Sequence, residues 1–162
     1  MTGADHDEHT TTADWRTRAT AAGSLSVPSG WIDDDRTGAV AVVRPETPVN
    51  PNGAFHENAV LSVVDSAGDI VADSSNAIAE ARAMVPWSHV VSVTPWPQGP
   101  FNRRMQFLYE YEGVTVAVTK FTGTTTGGKR LDLTCSAGLD AYPSLVGTFD
   151  SIAARSTLEL LS

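Results

Sequence analysis

The stretch from Met105 to Ala137 constrains the fold of this chain more than any other, because it reads as three successive antiparallel strands. Met105, Phe107, Tyr109 and Tyr111 alternate with Gln106, Leu108 and Glu110, the period of two that marks a strand with one buried face. Glu112-Gly113 then forms a two-residue hairpin loop. Such a loop sets the register, with Tyr111 opposite Val114, Tyr109 opposite Val116, Phe107 opposite Val118 and Met105 opposite Lys120. Aromatic rings opposite β-branched residues are favourable cross-strand pairs. After the loop over Gly123–Gly128, Leu131, Leu133 and Cys135 continue one face, while Arg130, Asp132, Thr134 and Ser136 take the other. The expectation is a meander with one apolar and one polar face, the apolar face meeting a helix over Tyr142–Ala153.

The rest of the chain alternates short strands with two helical patterns. Residues 1–14 are polar, acidic and Thr-rich with almost nothing to bury, and are expected to be a disordered tail before a single α+β domain over residues 15–162. Leu25–Val27 and Ala39–Arg44 read as short strands, and Trp15–Ala22 as an edge strand or a lead-in. Ala59–Asp65 has apolar residues at both parities, which suits a strand covered on both faces. Glu46–Glu57, holding Pro48, Pro51, Asn52 and Gly53, is a long loop. Ala77, Ile78, Ala81, Met84 and Val85 recur at helical spacing, with Asp73, Ser74 or Ser75 as N-cap and Pro86 as the stop. A strand through Val93 breaks at Pro95-Trp96-Pro97. Tyr142, Leu145, Val146, Phe149, Ile152 and Ala153 mark a second, clearly amphipathic helix, with Asp140 as cap and Pro143 in its first turn. Leu158–Leu161 is an apolar tail that pairs with a sheet edge. The class is α+β, an antiparallel sheet of about six to seven strands flanked by two main helices.

Composition narrows the function classes. The chain has 162 residues, 41% hydrophobic, enough to bury a core without disulfides or metals. Its net charge of −8 argues against nucleic acid as a partner, since phosphate-backbone binding needs Lys and Arg to displace counterions. The single cysteine, Cys135, cannot form an internal disulfide, and its alternation with Leu131 and Leu133 places it in the core as an inert thiol. Residues 1–22 carry Asp5, Asp7, Glu8 and a Thr run where a signal peptide needs a basic start and an apolar stretch. No segment approaches the roughly 20 apolar residues of a membrane span. A cytoplasmic protein without a membrane partner is expected.

The candidate chemistry is sparse. His6 and His9 among Asp5, Asp7 and Glu8 lack the supporting shell that a metal site needs, and Asp33-Asp34-Asp35 lacks the alternating ligands and distal Glu of a calcium loop. Gly123–Lys129 leads into a strand instead of a helix N-terminus, so it is a hairpin loop and no phosphate cradle. Glu110 and Asp132 read as cross-strand ion pairs beside Arg104 and Arg130. His56, in the long loop, and His89, at a strand start, are the bases an enzyme could use, but no nucleophile elbow or zinc-binding helix accompanies them. The polar face of the meander is either open to water or lines a groove. Trp96, Trp87 and Phe101, with Arg103 and Arg104, are the candidate partner-binding residues, since Trp and Arg concentrate at interface hot spots.

The order of these elements also carries a resemblance. Val27-Pro28-Ser29-Gly30-Trp31, Asn58-Ala59-Val60-Leu61, a helix, the turn Tyr111-Glu112-Gly113, Leu131-Asp132-Leu133-Thr134, and a closing helix with Phe149-Asp150-Ser151-Ile152 follow in sequence. Over about residues 15–160 the chain resembles the PsbP-like sandwich superfamily, and among its members the actinobacterial LpqN-type lipoproteins. The resemblance implies an antiparallel sheet flanked by helices. It also implies a non-enzymatic role, as members bind a photosystem or a small GTPase or accompany secretion systems. The N-terminal signal and lipidated cysteine of those lipoproteins have no counterpart here. The resulting expectation is a binding or accessory protein with a protein partner, no catalytic residue, no metal and no cofactor. The alternatives are a small enzyme using His56 or His89, and a small-ligand carrier with an apolar pocket between sheet and helix.

Overall fold

A computed structural model describes residues 14–159. The expected tail, apart from Asp14, the His6–His9 cluster, and Leu160 and Leu161 lie outside the described residues. The elements run β1 (Trp15–Thr20), β2 (Gly23–Pro28), β3 (Trp31–Asp34), β4 (Ala41–Pro45), β5 (Asn58–Asp65), α1 (Ile70–Arg82) and β6 (Ser88–Pro95). They continue with β7 (Arg103–Tyr111), β8 (Val114–Thr124), β9 (Lys129–Gly138), α2 (Tyr142–Arg155) and β10 (Thr157–Leu158). Seven strands form an antiparallel sheet in the order β3-β4-β5-β9-β8-β7-β6, and a second, three-stranded sheet has the order β1-β2-β10. Among the described residues no helix is long and apolar enough to cross a membrane.

The central hairpin has the predicted register: Tyr111, Tyr109, Phe107 and Met105 stand opposite Val114, Val116, Val118 and Lys120. Glu112 and Gly113 both have positive φ, +49° and +79°, the two-residue turn whose twist matches the flanking strands. The assignment of faces differs from expectation. Val118 pairs with Ser136 and Phe121 with Leu133, so Leu131, Leu133 and Cys135 lie on the opposite side of the sheet from Phe107. The meander therefore has two apolar sides, each under its own helix.

On one side, Leu61, Phe121, Leu131, Leu133 and Cys135 meet Phe149, Ile152 and Ala153 of α2, together with Leu25 and Val27 of the small sheet and Trp31. Trp31 meets Phe149 edge-on at 6.3 Å between ring centres. On the other side, Met105, Phe107, Val116 and Val118 pack against Ala77 and Ala81 of α1. The apolar face of β7 thus meets α1, not the Tyr142–Ala153 helix. Each fully buried Leu or Phe in such a core contributes roughly 1.5–3 kcal/mol through burial.

The helix boundaries also depart from the sequence reading. The N-cap of α1 is Asp69, whose side chain accepts from the N–H groups of Val71 and Ala72, and not Asp73, Ser74 or Ser75. The helix ends at Arg82, so Val85 lies beyond it and is 83% exposed. For α2 the cap is Ala141, with no side-chain hydrogen bond; Asp140 instead accepts from the Asn50 side chain at 2.7 Å. Leu158 pairs with the edge of the small sheet, through Gly23 of β2.

Candidate functional site

Both faces of the meander carry polar residues, and most of them position helices. Beneath α2, the Tyr142 hydroxyl bonds Thr119 and accepts from Gln106 Nε2, while Arg104 reaches Asp150 at 2.8 and 3.3 Å. Beneath α1, Arg130 pairs with Asp132 at 2.7 Å and with Glu80 at 2.9 Å, and Lys120 bridges Glu80 and Asp132 at 3.1 Å each. Asp73 accepts from Ser66 Oγ, Ala67 N–H and Thr124 Oγ1 at 2.7, 2.7 and 2.6 Å. Burial would raise the Asp73 pKa, but the bonds from Thr124, Ala67 and Ser66, with Arg130 close by, hold the carboxyl below its usual range. Glu80 is likewise held low, burial being outweighed by Arg130 and Lys120. The expected polar face is thus divided between two sides of the sheet, and the groups placed there are largely occupied with one another.

The predicted partner-binding residues do not form one patch. Phe101 is only 2% exposed and packs on Phe121, so it belongs to the core and offers no docking surface. Trp96 stands edge-on to Phe121 at 5.1 Å, with the Arg104 guanidinium 6.0 Å from the centre of its own ring. Arg104 is committed to Asp150. Among the described residues the Arg103 side chain hydrogen-bonds the Asn102 carbonyl at 3.2 Å and meets no carboxylate. Trp87 lies at the other end of β6, about 30 Å away at the rise of an extended strand, and donates to Glu110 at 2.8 Å. What the sequence groups as aromatic and basic neighbours becomes a core closure at one end of β6 and a lone tryptophan at the other.

The concave site lies elsewhere, on the α1 side of the large sheet. α1 lies over β6, β7 and β8 and reaches Arg130 of β9 through Glu80, and residues 54–56 of the loop before β5 line the space beyond it over β5 and β9. A cleft of about 580 Å³ remains. Its floor is Asn58 and Val60 of β5, Thr134 and Ser136 of β9, and Tyr109 of β7. Phe55 and Tyr111 form one wall, their rings edge-on at 6.0 Å, and His56, Ala54 and Arg36 complete the rim. A lobe of about 190 Å³ runs on beneath Ala77, Ala81 and Met84 and shares Tyr109, Thr134 and Ser136.

Two properties distinguish this cleft. Among the described residues the hydroxyls of Thr134, Ser136 and Tyr109 have no hydrogen-bond partner in the protein, although Ser136 is nearly buried. Burial, with Tyr111 beside it, raises the Tyr109 pKa against the opposing pull of Arg36, so its phenol keeps its proton and can donate. The sequence signal for the site was present but dispersed: Asn58 opens an otherwise mostly apolar strand, Thr134 and Ser136 continue the polar face begun by Arg130 and Asp132, and His56 and Phe55 stand in the long loop.

The other candidates resolve simply. Asp33 lies in β3, where Arg16 at 2.9 Å and Arg18 at 3.1 Å neutralise it, and the Arg16 bond outweighs burial in holding its pKa low. Gly123–Lys129 closes as a hairpin, Thr125 N–H donating to the Lys129 carbonyl at 2.8 Å. His89 is exposed on β6, away from His56 in the cleft rim. Among the described residues no cluster of three acidic, His or Cys side chains has the geometry to hold a metal ion.

A seven-stranded antiparallel sheet with a helix on each face and a small sheet beside one of them is the architecture of the PsbP-like α/β sandwiches, and this protein has that fold. The structure of LpqN from Mycobacterium tuberculosis, described as involved in cell envelope biogenesis, aligns with a TM-score of 0.64 at 19% identity over 93% of this chain and 87% of that one. The cyanobacterial PsbP of Synechocystis aligns with a TM-score of 0.51 at 11% identity, covering 93% and 95%. The Saccharomyces cerevisiae Ran-binding protein Mog1p gives 0.55 at 11% identity, covering 85% of each chain. No protein-family model and no curated protein matches the sequence. At these identities the likeness is one of fold.

Proposed function

We propose that the protein acts by binding, without chemistry of its own, and that its binding site is the cleft between α1 and the loop before β5. The observation that carries this reading is the unused hydrogen-bonding capacity of Thr134, Ser136 and Tyr109 on the floor of a 580 Å³ concavity with aromatic walls. Buried polar groups are normally paired, and groups left open in a cleft are available to a ligand. An enzymatic reading requires a base within hydrogen-bond reach of a nucleophile. The His56 ring makes no hydrogen bond to a hydroxyl or carboxylate among the described residues, and only its carbonyl is engaged, by Asn58 at 3.1 Å. Chemical-shift mapping of a fragment library tests the reading. Binders are expected to move the amides of Phe55, Val60, Tyr109 and Thr134, and the exposed rim substitution Ala54→Trp is expected to block them. Binders that leave those amides still would remove the cleft from consideration.

A protein partner is the second reading. It is favoured by the free edge of β6, where Val91, Val93 and Trp87 are exposed at 58%, 38% and 39%, and by the fold shared with a yeast Ran-binding protein. Trp87→Asp and Val93→Asp are expected to abolish capture of a partner through this edge, and capture indifferent to both would exclude it.

A further inference from the structure

The cleft has a charge pattern at odds with the rest of the molecule. The chain carries a net charge of −8, yet none of the ten residues lining the main cleft is an Asp or Glu and Arg36 is the one residue there with a permanent charge, while the adjoining lobe has Glu80 paired with Lys120 and Arg130. Arg16, Arg18, Arg44, Arg104 and Arg130 each face a carboxylate within the protein. Arg36, on the turn between β3 and β4, has no carboxylate within 4 Å among the described residues. An arginine presents a planar fork of donors matched to an oxyanion, and an uncompensated one in a concave site raises the local concentration of anions that the rest of the surface repels. Next to it, Phe55 and Tyr111 offer aromatic surface, and the floor hydroxyls offer donors.

Resting on the binding reading above, we infer that the cleft takes a small carboxylate carried on an apolar or aromatic body. Arg36 holds the carboxylate, Phe55 and Tyr111 cover the body, and the hydroxyls of Thr134 and Ser136 serve the polar atoms that reach the floor. A single guanidinium balances a single negative charge. A doubly charged phosphate would remain half compensated inside an acidic protein, so the monoanion is the better match. The volume lies within the range of about 300–1,000 Å³ that accommodates small organic ligands.

The test uses the full chain and three probes of one shape: phenylbutyrate, the neutral phenylbutanamide and the cationic phenylbutylamine, each titrated while backbone amide shifts are followed. The carboxylate is expected to bind about tenfold or more tightly than either analogue, the usual worth of a charge-assisted hydrogen bond. Arg36→Gln, an exposed turn substitution, is expected to abolish that preference and leave the amide's affinity within about twofold, because the body's contacts are untouched. Added salt is expected to weaken the carboxylate alone. If carboxylate and amide bind equally and Ala54→Trp blocks both, the cleft is a binding site and the anion inference is wrong. Carboxylate binding that ignores Ala54→Trp overturns both readings. Failure of all three probes to bind at millimolar concentration also overturns the inference.

Discussion

Asp73 is the most informative single perturbation of this fold. It lies in the first turn of α1, is fully buried, and accepts three hydrogen bonds that join the approach to the helix (Ser66, Ala67) with β8 (Thr124). Asp73→Ala leaves three part-buried donors without their acceptor, each costing at most about 1–3 kcal/mol and less where water reaches it, non-additively. A total near 4 kcal/mol is expected, and about 2 kcal/mol for Asp73→Asn, which keeps the shape and one acceptor but loses the charge. With a urea dependence of about 2 kcal/mol per molar, the Asn variant should unfold at a midpoint roughly 1 M lower. The pH dependence supplies the sign. The folded carboxyl titrates below the unfolded value of 3.8, so its contribution is complete well above that value and is lost as pH falls through the lower folded one. The gap between wild type and Asp73→Asn should therefore be constant near neutrality and close on acidification. Urea unfolding followed by circular dichroism at several pH values measures it. A variant within about 0.5 kcal/mol of wild type at neutral pH, or a gap that persists into acid, would refute the argument.

Two further outcomes follow from the packing. Tyr142→Phe should cost about 1–3 kcal/mol in the same unfolding assay, because Gln106 and the fully buried Thr119 lose their shared partner while the ring's packing survives; an unchanged midpoint would mean that water replaces the hydroxyl. Burial pushes the Cys135 thiol far up from its ordinary value, so native protein should resist iodoacetamide at pH 8 and react only on unfolding, as mass spectrometry will show. Rapid native labelling would place Cys135 outside the core.

How far the sequence could lead is visible in particular residues. Asn58 stands at the start of one strand and Thr134 and Ser136 on the polar face of another, and nothing local joins them, since their convergence depends on β5 and β9 pairing 70 or more residues apart in sequence. The pairing of Asn58 with Ser136 and of Val60 with Thr134 is what brings them together. Phe101, expected at a docking surface, lies in the core for the converse reason. Aromatic rings beside prolines and arginines match an interface and a core lid equally well, and only the position of Phe121 beneath them decides in favour of the lid.

The sequence by itself determined what short-range geometry determines. Strand alternation, the hairpin register set by Glu112-Gly113 and the apolar stripe of α2 all act within a few residues, and all stand in the structure. Tertiary structure alone decided which side of the sheet each alternation serves. A two-residue turn locks parity, but the longer connection between β8 and β9 accepts either parity. Here it places Leu133 opposite Phe121 and under α2, while Phe107 faces α1. A sheet covered on both sides buries apolar residues on both, so alternation within one strand cannot tell the two faces apart. The cleft follows from that choice, because it opens over β5 and β9 in the space beyond α1.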